Sequence, residues 1–416
     1  MVYLFGILIV VILLLSWKYI LRLEPAGLFA ALWVFFGIFT LLVQDYIDLR
    51  FDGCVFILTG VVFFVTGTIF SDYFYHPSPA DGHIRLKKQL VTPLLIVLLI
   101  GAMVNPLYSI VLHGFSLRAL LDMREVLEMN KGIAEDRYAG AEAHDLVNQF
   151  FLIFSYAAPV VGGFCYRLVG RVNKVLCVIT LIPCTFIALT QSLKMGMIAS
   201  FILFFASYIV SSYTFGLSLR IKGKVILNLA LVIAGFLLTL FISMVFRTGE
   251  VSQKTIIEIS EKFISYAIGH MHNVDVWYTS YMPTDLTWGS HTFLGVSNLL
   301  GIEERVQGIY PEFMNVGKNG FYGISNTFTI FRPLVEDFGE VGAMVTMFVM
   351  GVLGNMSLKA LVAGRFIILN QVVLIALFAY IMWSFSASFY AYTTYLAMFA
   401  FVFILFYLIQ TKEEPA

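Results

Sequence analysis

Ten apolar runs that contain no charged residue dominate this chain and limit what it can fold into. The runs cover residues 2–17, 25–44, 53–71, 89–117, 146–166, 175–193, 195–219, 225–246, 341–358 and 366–411. A helix needs about 20 apolar residues to cross the hydrocarbon core of a bilayer. Hydrophobic residues make up 60% of the chain and charged residues only 12%, and the charges lie between the runs along the whole length. This pattern excludes a water-soluble protein and predicts many membrane spans.

The last run, 366–411, is too long for one crossing at about 1.5 Å of rise per residue. It divides at three serines with aromatic residues on both sides: Ser384, Ser386 and Ser388, flanked by Trp383, Tyr390 and Tyr392. Trp and Tyr are enriched where a membrane meets water. The sequence therefore predicts an all-α polytopic membrane protein with eleven transmembrane helices.

The basic residues predict how these helices are oriented. With the N-terminus outside and the C-terminus inside, the inner loops hold 14 of the 26 Lys and Arg residues but only 5 of the 26 Asp and Glu residues. This distribution satisfies the positive-inside rule. The predicted divisions are helices one to four over 1–113, a first long outer loop over 114–145, helices five to eight over 146–246, a large outer loop over 247–340, and helices nine to eleven with a short inner tail over 341–416. Because the inner loops are short, we expect the function to lie on the outer face.

The large outer loop has two parts with different patterns. Over 252–268, apolar residues recur at helical spacing and predict an amphipathic helix, which lies flat on the bilayer, roofs a cavity or packs on the spans. Over 283–325 the chain is rich in Gly, Pro, Asn and aromatic residues, which is typical of irregular loops that carry function. The Tyr and Trp residues there suit either stacking on sugar rings or anchoring at the membrane interface.

Several motifs that would indicate other chemistry are absent from the sequence. It contains no P-loop, no GxGxxG, no HExxH and no DxD pair of the kind that chelates a metal against a nucleotide sugar. His270 and His272 are two residues apart, a spacing that a helix places on different faces, so we predict no metal site and no cofactor. The predicted spans hold no Asp, Glu, Lys or Arg, which argues against an ion-coupled transporter.

Four cations lie at the predicted outer ends of spans or in the large loop: Lys194, Arg247, Arg305 and Arg332. Each taken alone suits pairing with a lipid headgroup. Several that converge on one cavity suit an anionic ligand at the membrane surface, because guanidinium groups bind phosphate through two parallel hydrogen bonds. A lipid pyrophosphate is the ligand that best fits this second interpretation.

The segment 326–342, NTFTIFRPLVEDFGEVG, resembles the motif that ends the large periplasmic loop of bacterial O-antigen polymerases, the Wzy-type oligosaccharide repeat-unit polymerases. That pattern reads Asn-x-aromatic-Thr-x-Phe-Arg-Pro, three residues, Asp-Phe-Gly, two residues, Gly. The matching residues are Asn326, Phe328, Thr329, Phe331, Arg332, Pro333, Asp337, Phe338, Gly339 and Gly342. The number of spans and the dominant late outer loop are also similar to this family.

The resemblance implies a multi-pass glycosyltransferase of the bacterial inner membrane, of the lipid-dependent GT-C type, with its active site facing the periplasm. Such an enzyme moves a growing glycan from undecaprenyl pyrophosphate onto a new lipid-linked repeat unit in lipopolysaccharide biosynthesis. It needs neither metal nor cofactor. The implied partners are the undecaprenyl-pyrophosphate-linked oligosaccharide, the lipid bilayer and a chain-length regulator protein, with no role for nucleic acid.

The resemblance and the chemistry together assign roles to seven residues. Arg332, Arg247, Lys194 and Arg305 bind the pyrophosphate, and Asn326 also binds substrate. The general base is Asp337 or, as a second choice, His272. Asp337 also suits two structural roles, either as a cap of a helix that begins near Glu340 or as an ion-pair partner of Arg332.

Two other functions fit the same topology. An O-antigen ligase, which joins finished polymer to lipid A-core, shares the scaffold and the lipid donor. A flippase or other transporter of lipid-linked oligosaccharides would bind the same ligand without transferring it. The segment 326–342 favours the polymerase, whereas the large outer loop and the uncharged spans argue against the transporter.

Overall fold

The computed structural model of the chain describes residues 1–80, 84–138, 145–191, 193–219, 235, 237–245, 253–282, 285–303, 310, 312–316 and 324–412. Over these residues the fold is all-α apart from four short strands. The helices that concern the site or the spans are α1 (Val2–Arg22), α2 (Pro25–Val43), α3 (Asp52–Phe74), α4 (Lys88–Leu112), α5 (Met123–Tyr138), α6 (Leu146–Cys165), α7 (Arg171–Ile179), α8 (Ile182–Gln191), α9 (Lys194–Thr214), α10 (Gln253–Ser280), α11 (Leu294–Leu299), α12 (Phe331–Val362), α13 (Ile367–Trp383) and α14 (Thr393–Ile409). The strands are β1 (Ile84–Leu86), β2 (Met314–Asn315), β3 (Ile324–Ser325) and β4 (Gln410–Lys412).

Eight segments of the described chain are long and apolar enough to cross a membrane, as expected of a polytopic membrane protein. They are Val2–Arg22, Pro25–Tyr46, Asp52–Phe74, Lys88–Leu112, Leu146–Cys165, Arg171–Gln191, Lys194–Thr214 and Phe331–Val362. Each contains or largely overlaps one of the predicted spans. The predicted span 225–246 lies mostly outside the described residues, so the total of eleven and the orientation stay predictions.

The predicted division of the run 366–411 is confirmed. Two shorter apolar helices, α13 and α14, occupy it, and a 3₁₀ turn at Phe389–Ala391 lies in the segment between them. The Oγ atom of Ser388 accepts a hydrogen bond from the backbone N–H of Tyr390 at 3.3 Å, which caps this turn. The serines and aromatic residues of the predicted break therefore form the connection between two helices.

The described chain divides into two compact units, and each unit is built from two separate stretches of the sequence. The first contains residues 1–81 and 260–396, and the second contains residues 82–259 and 397–416. The first unit holds α1 to α3, most of α10, and α11 to α13. The second holds α4 to α9 and most of α14.

In the first unit, α12 packs closely along α3. Gly67 of α3 lies against the backbone of Phe348, and Gly351 of α12 lies against the backbone of Phe64, so a Cβ atom at either glycine would collide with main chain. Near the end of this contact, Asn355 donates hydrogen bonds to the Thr68 carbonyl at 3.2 Å and to Asp72 Oδ1 at 2.9 Å. This packing fixes the position of α12, the helix that contains most of the segment 326–342.

The second unit is built around α6, which packs against α4 and α9. The hydroxyl of Ser155 donates to the carbonyl of Ala102 at 3.0 Å, and the Asn105 side chain donates to Asn148 Oδ1 at 2.6 Å. At one end of the unit, β1 pairs antiparallel with β4, with Ile84 opposite Lys412.

Two elements of the large outer loop differ from their predicted extents. The amphipathic helix predicted over 252–268 is present, and it continues to Ser280 as α10. α12 begins at Phe331, although residues up to 340 were predicted as loop. The two stretches of α12 meet at Gly339, whose φ of 71° and ψ of 174° break the helix within the motif.

Candidate functional site around Arg332

The first stretch of α12 begins at Phe331, where Thr329 and Pro333 favour the start of a helix. The Thr329 hydroxyl accepts a hydrogen bond from the Phe331 N–H at 3.1 Å. Pro333 lies in the first helical turn, where an N–H would have no partner within the helix. Phe331 is buried against Gly60 of α3 and against Trp33, with ring centroids 5.6 Å apart. These contacts anchor the turn that carries Arg332.

The guanidinium group of Arg332 lies among three aromatic rings. Its central carbon is 3.7 Å from the ring centroid of Tyr310, 4.3 Å from that of Phe328 and 5.4 Å from that of Trp277 on α10. Only 6% of Arg332 is exposed. Cation–π contacts become stronger when the cation is shielded from water, so these rings stabilise the buried charge.

Two carboxylates pair with Arg332, and within the described part of the chain one of its nitrogens has no partner. Nε donates to Glu336 Oε1 at 2.9 Å, and Nη2 donates to Glu312 Oε1 at 3.1 Å. Nη1 is buried and has no hydrogen-bond partner among the described residues. An unsatisfied buried donor is unfavourable by about 1–3 kcal/mol, more for a charged group. Nη1 is therefore suited to donate a hydrogen bond to an anionic ligand.

Glu336 joins Arg332 to a histidine. Its Oε2 atom lies 3.0 Å from His291 Nδ1 and accepts a hydrogen bond from the Tyr310 hydroxyl at 2.9 Å. The hydrogen bond to Glu336 raises the pKa of His291 above its ordinary value of 6.5, while partial burial opposes the shift. The imidazole is 31% exposed. Burial raises the pKa of the Tyr310 hydroxyl well above its ordinary range, so that hydroxyl is a hydrogen-bond donor.

Asp337 points to the segment that contains His291. Its Oδ1 atom accepts hydrogen bonds from the Thr287 hydroxyl at 2.6 Å and from the His291 N–H at 3.0 Å. Its Oδ2 atom accepts one from the Thr292 N–H at 2.7 Å. The carbonyl of Asp337 accepts a further hydrogen bond from the Trp288 N–H at 3.1 Å. Asp337 therefore fixes the loop at 287–292. The ion-pair partners of Arg332 are Glu336 and Glu312 rather than Asp337.

The other predicted base, His272, is buried in α10. Its Nδ1 atom lies 3.4 Å from Asn273 Oδ1, and burial lowers its pKa below the ordinary 6.5. The Asn273 side chain donates to the carbonyls of Ser325 and Thr327, both at 3.1 Å. Asn326, the predicted substrate-binding residue, is half-buried between these two anchored residues.

Of the remaining predicted cations, Lys194 alone is among the described residues. Lys194 is the first residue of α9, in the second unit. Arg247 and Arg305 lie outside the described residues. The roles predicted for these three cations stay predictions.

Sequence reasoning missed the residues that pair with Arg332. Glu336 follows Arg332 by four positions, a spacing that brings two side chains together on a helix, so recognition of the helix before residue 340 would have identified it. His291 and Glu312 had no such signal, because only the folded loop brings them to α12.

Comparison with protein-family models, with curated proteins and with solved structures finds no match for this chain.

Proposed function

We propose that this membrane protein is a polymerase of O-antigen or a related surface polysaccharide. It transfers the growing glycan from undecaprenyl pyrophosphate onto a lipid-linked repeat unit at the periplasmic face of the bacterial inner membrane. The resemblance of residues 326–342 supports this proposal. The observation that carries it is the link through Glu336 between a buried arginine with an unpaired nitrogen and a partly exposed histidine.

The reaction needs a cation for its leaving group. As the bond from the anomeric carbon to the pyrophosphate oxygen breaks, the pyrophosphate takes the electron pair and gains negative charge. Arg332 Nη1 donates a hydrogen bond to a phosphate oxygen in this proposal. Donors aimed at developing charge are typically worth about 3–4 kcal/mol each. Arg247, Lys194 and Arg305 remain the proposed sources of further positive charge.

The reaction also needs a base for the acceptor hydroxyl. We assign this role to His291, because Glu336 orients its Nδ1–H and leaves Nε2 to accept a proton. The acceptor oxygen bonds to the anomeric carbon while its proton passes to Nε2. A positioned base of this kind contributes about 10²–10⁴-fold. Asp337, the base predicted from the sequence, positions His291 and its loop in this proposal.

A silver-stained lipopolysaccharide gel of a strain that lacks this gene tests the proposal. We expect a single band of core plus one repeat, with the polymer ladder restored by the wild-type gene. His291→Gln does not restore the ladder. His113→Gln, whose imidazole bonds to the Ser109 carbonyl of its own helix, restores it as a matched control.

Two other results would contradict the polymerase when the gel is combined with a sided assay of the lipid-linked intermediates. Bare core with lipid-linked polymer accumulated on the outer side would indicate the ligase. Bare core with single lipid-linked repeats retained on the inner side would indicate the transporter. A full ladder in the deletion strain would exclude all three functions.

A further inference from the structure

The segment 286–302, LTWGSHTFLGVSNLLGI, contains no Asp, Glu, Lys or Arg, although it belongs to the predicted outer loop. Asp285 precedes it and Glu303 follows it. Four of its large apolar side chains are strongly exposed: Trp288 at 78%, Leu299 at 68%, Leu300 at 69% and Ile302 at 64%. An aqueous loop rarely presents so many large apolar side chains to water. This surface is called the 286–302 patch below.

The 286–302 patch is fixed to the connection between the last two apolar helices. The Ser388 hydroxyl donates to the Thr292 carbonyl at 2.6 Å, and the Thr393 hydroxyl donates to the Gly295 carbonyl at 3.0 Å. Gly295 lies directly on the backbone of residues 390–393, where a Cβ atom would collide. The patch therefore lies at the level where α13 ends and α14 begins.

A second attachment joins the patch to the beginning of the predicted ninth span. The N–H of Trp288 donates to the Asp337 carbonyl at 3.1 Å, a few residues before the span predicted to start at 341. Val341 is itself 78% exposed, as expected of a side chain that faces lipid. The patch is thus attached close to the start of the apolar surface of the α12 span.

The backbone of the segment lies in the left-handed region at three positions, Trp288, Gly289 and Gly301. Trp288 has a φ of 51°, and Gly301, between Leu300 and Ile302, has a φ of 68°. A non-glycine residue in this region is unfavourable by about 1–3 kcal/mol and persists where surrounding contacts hold it. Here the hydrogen bond from the Trp288 N–H to the Asp337 carbonyl holds the backbone, and the indole is exposed.

We propose that the 286–302 patch inserts into the lipid leaflet beside the ends of α12, α13 and α14. The occupant of this surface is the bilayer, since uncharged apolar side chains with a tryptophan at the edge suit the acyl–headgroup boundary. His291 lies within the same segment, so insertion also keeps its imidazole at the membrane surface.

Site-directed fluorescence on the full-length protein in liposomes tests this insertion without using enzymatic activity. All four native cysteines are buried, so a maleimide NBD dye reacts selectively with an introduced cysteine. Leu300→Cys is compared with Leu14→Cys, on an exposed position of the candidate span α1, and with Glu125→Cys, on the charged surface of α5. Quenching is measured with lipids that carry a nitroxide on the acyl chain and with aqueous iodide.

The expected result is that the dye at Leu300 is quenched by the lipid-borne nitroxide about as strongly as the dye at Leu14 and is protected from iodide. Quenching by iodide to the level found at Glu125 would overturn the proposal. Protection from both quenchers would also overturn it, because a protein or glycan partner would then cover the patch. Neither outcome depends on whether the protein is a polymerase.

Discussion

Oε1 of Glu336 lies 2.9 Å from Nε of Arg332, one helical turn earlier in α12. The other oxygen of the same carboxylate contacts His291 and Tyr310. One carboxylate therefore sets the position of a cation and of a titratable imidazole together. Changes to any of the three side chains are expected to affect the others, which makes the site testable by coupled substitutions.

Arg332→Lys is expected to lower polymerisation by at least about 10²-fold, the usual effect of removing one charge-stabilising donor. Lysine keeps the charge but lacks the planar fork that pairs with Glu336 and Glu312 while leaving a nitrogen for phosphate. The measurement is chain elongation on a lipopolysaccharide gel, with Arg124→Lys, an exposed arginine of α5, as the control. Near-normal elongation in Arg332→Lys would rule out the phosphate role.

The acidic limb of the pH–activity profile should report His291. A base must be deprotonated, so kcat/KM should fall as the pH drops through the pKa of His291, which Glu336 raises above 6.5. Glu336→Gln removes this stabilisation of the imidazolium, so we expect the acidic limb to move to lower pH. The profile of purified protein acting on a lipid-linked repeat unit measures the shift. An unchanged limb would show that another group controls it.

The same pair should make folding stability depend on pH. Because the folded pKa of His291 is raised, the ion pair stabilises the fold below about pH 6.5, and its contribution is lost as the pH rises through the raised pKa. His291→Gln should therefore lower the thermal midpoint more at about pH 5.5 than at about pH 9. Equal losses at both pH values would contradict the pairing.

Asp337→Asn distinguishes a positioning role from a base. The amide nitrogen would replace one carboxylate oxygen and face either the Thr292 N–H or the donors of Thr287 and His291, and a buried donor without an acceptor is unfavourable by about 1–3 kcal/mol. We expect a lower thermal midpoint together with lost activity. Thr287→Val, which removes one of the donors, should show a smaller decrease. An Asp337→Asn protein with unchanged stability and no activity would instead support Asp337 as the base.

Gly339→Ala should destabilise the protein through the backbone alone. The φ of 71° and ψ of 174° at Gly339 suit glycine almost exclusively, whereas an added Cβ would meet only ordinary contact with Leu286 at 3.8 Å. The expected loss is about 1–3 kcal/mol of unfolding free energy. Gly6→Ala, in a helix with open space around the Cβ position, is the control and should be neutral or stabilising. Thermal unfolding in detergent compares the two.

The apolar runs predicted most helices because burial in lipid imposes a simple requirement on composition. They predicted helix ends less well, because ends depend on local geometry. The run 89–117 is uncharged throughout, but α4 ends at Leu112, and the chain then turns at Gly114 with a φ of 81°. The candidate span Arg171–Gln191 differs at its beginning. It starts before the predicted run 175–193, because its first turn includes basic residues that the run excludes.

For the candidate site, the sequence predicted roles for Arg332 and Asp337 but not the residues that they contact. The motif spacing singles out residues within one stretch of chain. The contacts of Asp337 lie 45 to 50 residues away in a loop without regular periodicity. Glu312 reaches Arg332 across 20 residues. Such pairings depend on how the loop folds, so the spacing of residues along the sequence does not predict them.

Asp275 of α10 closes the beginning of α3. Its carboxylate accepts hydrogen bonds from the N–H groups of Arg50, Phe51 and Gly53 at 2.7, 3.1 and 2.9 Å, and these partners precede it by 222 to 225 residues. During synthesis on the ribosome, α3 enters the membrane long before residue 275 is translated. The amides at the beginning of α3 therefore lack this carboxylate cap until α10 has been synthesised and has packed against them.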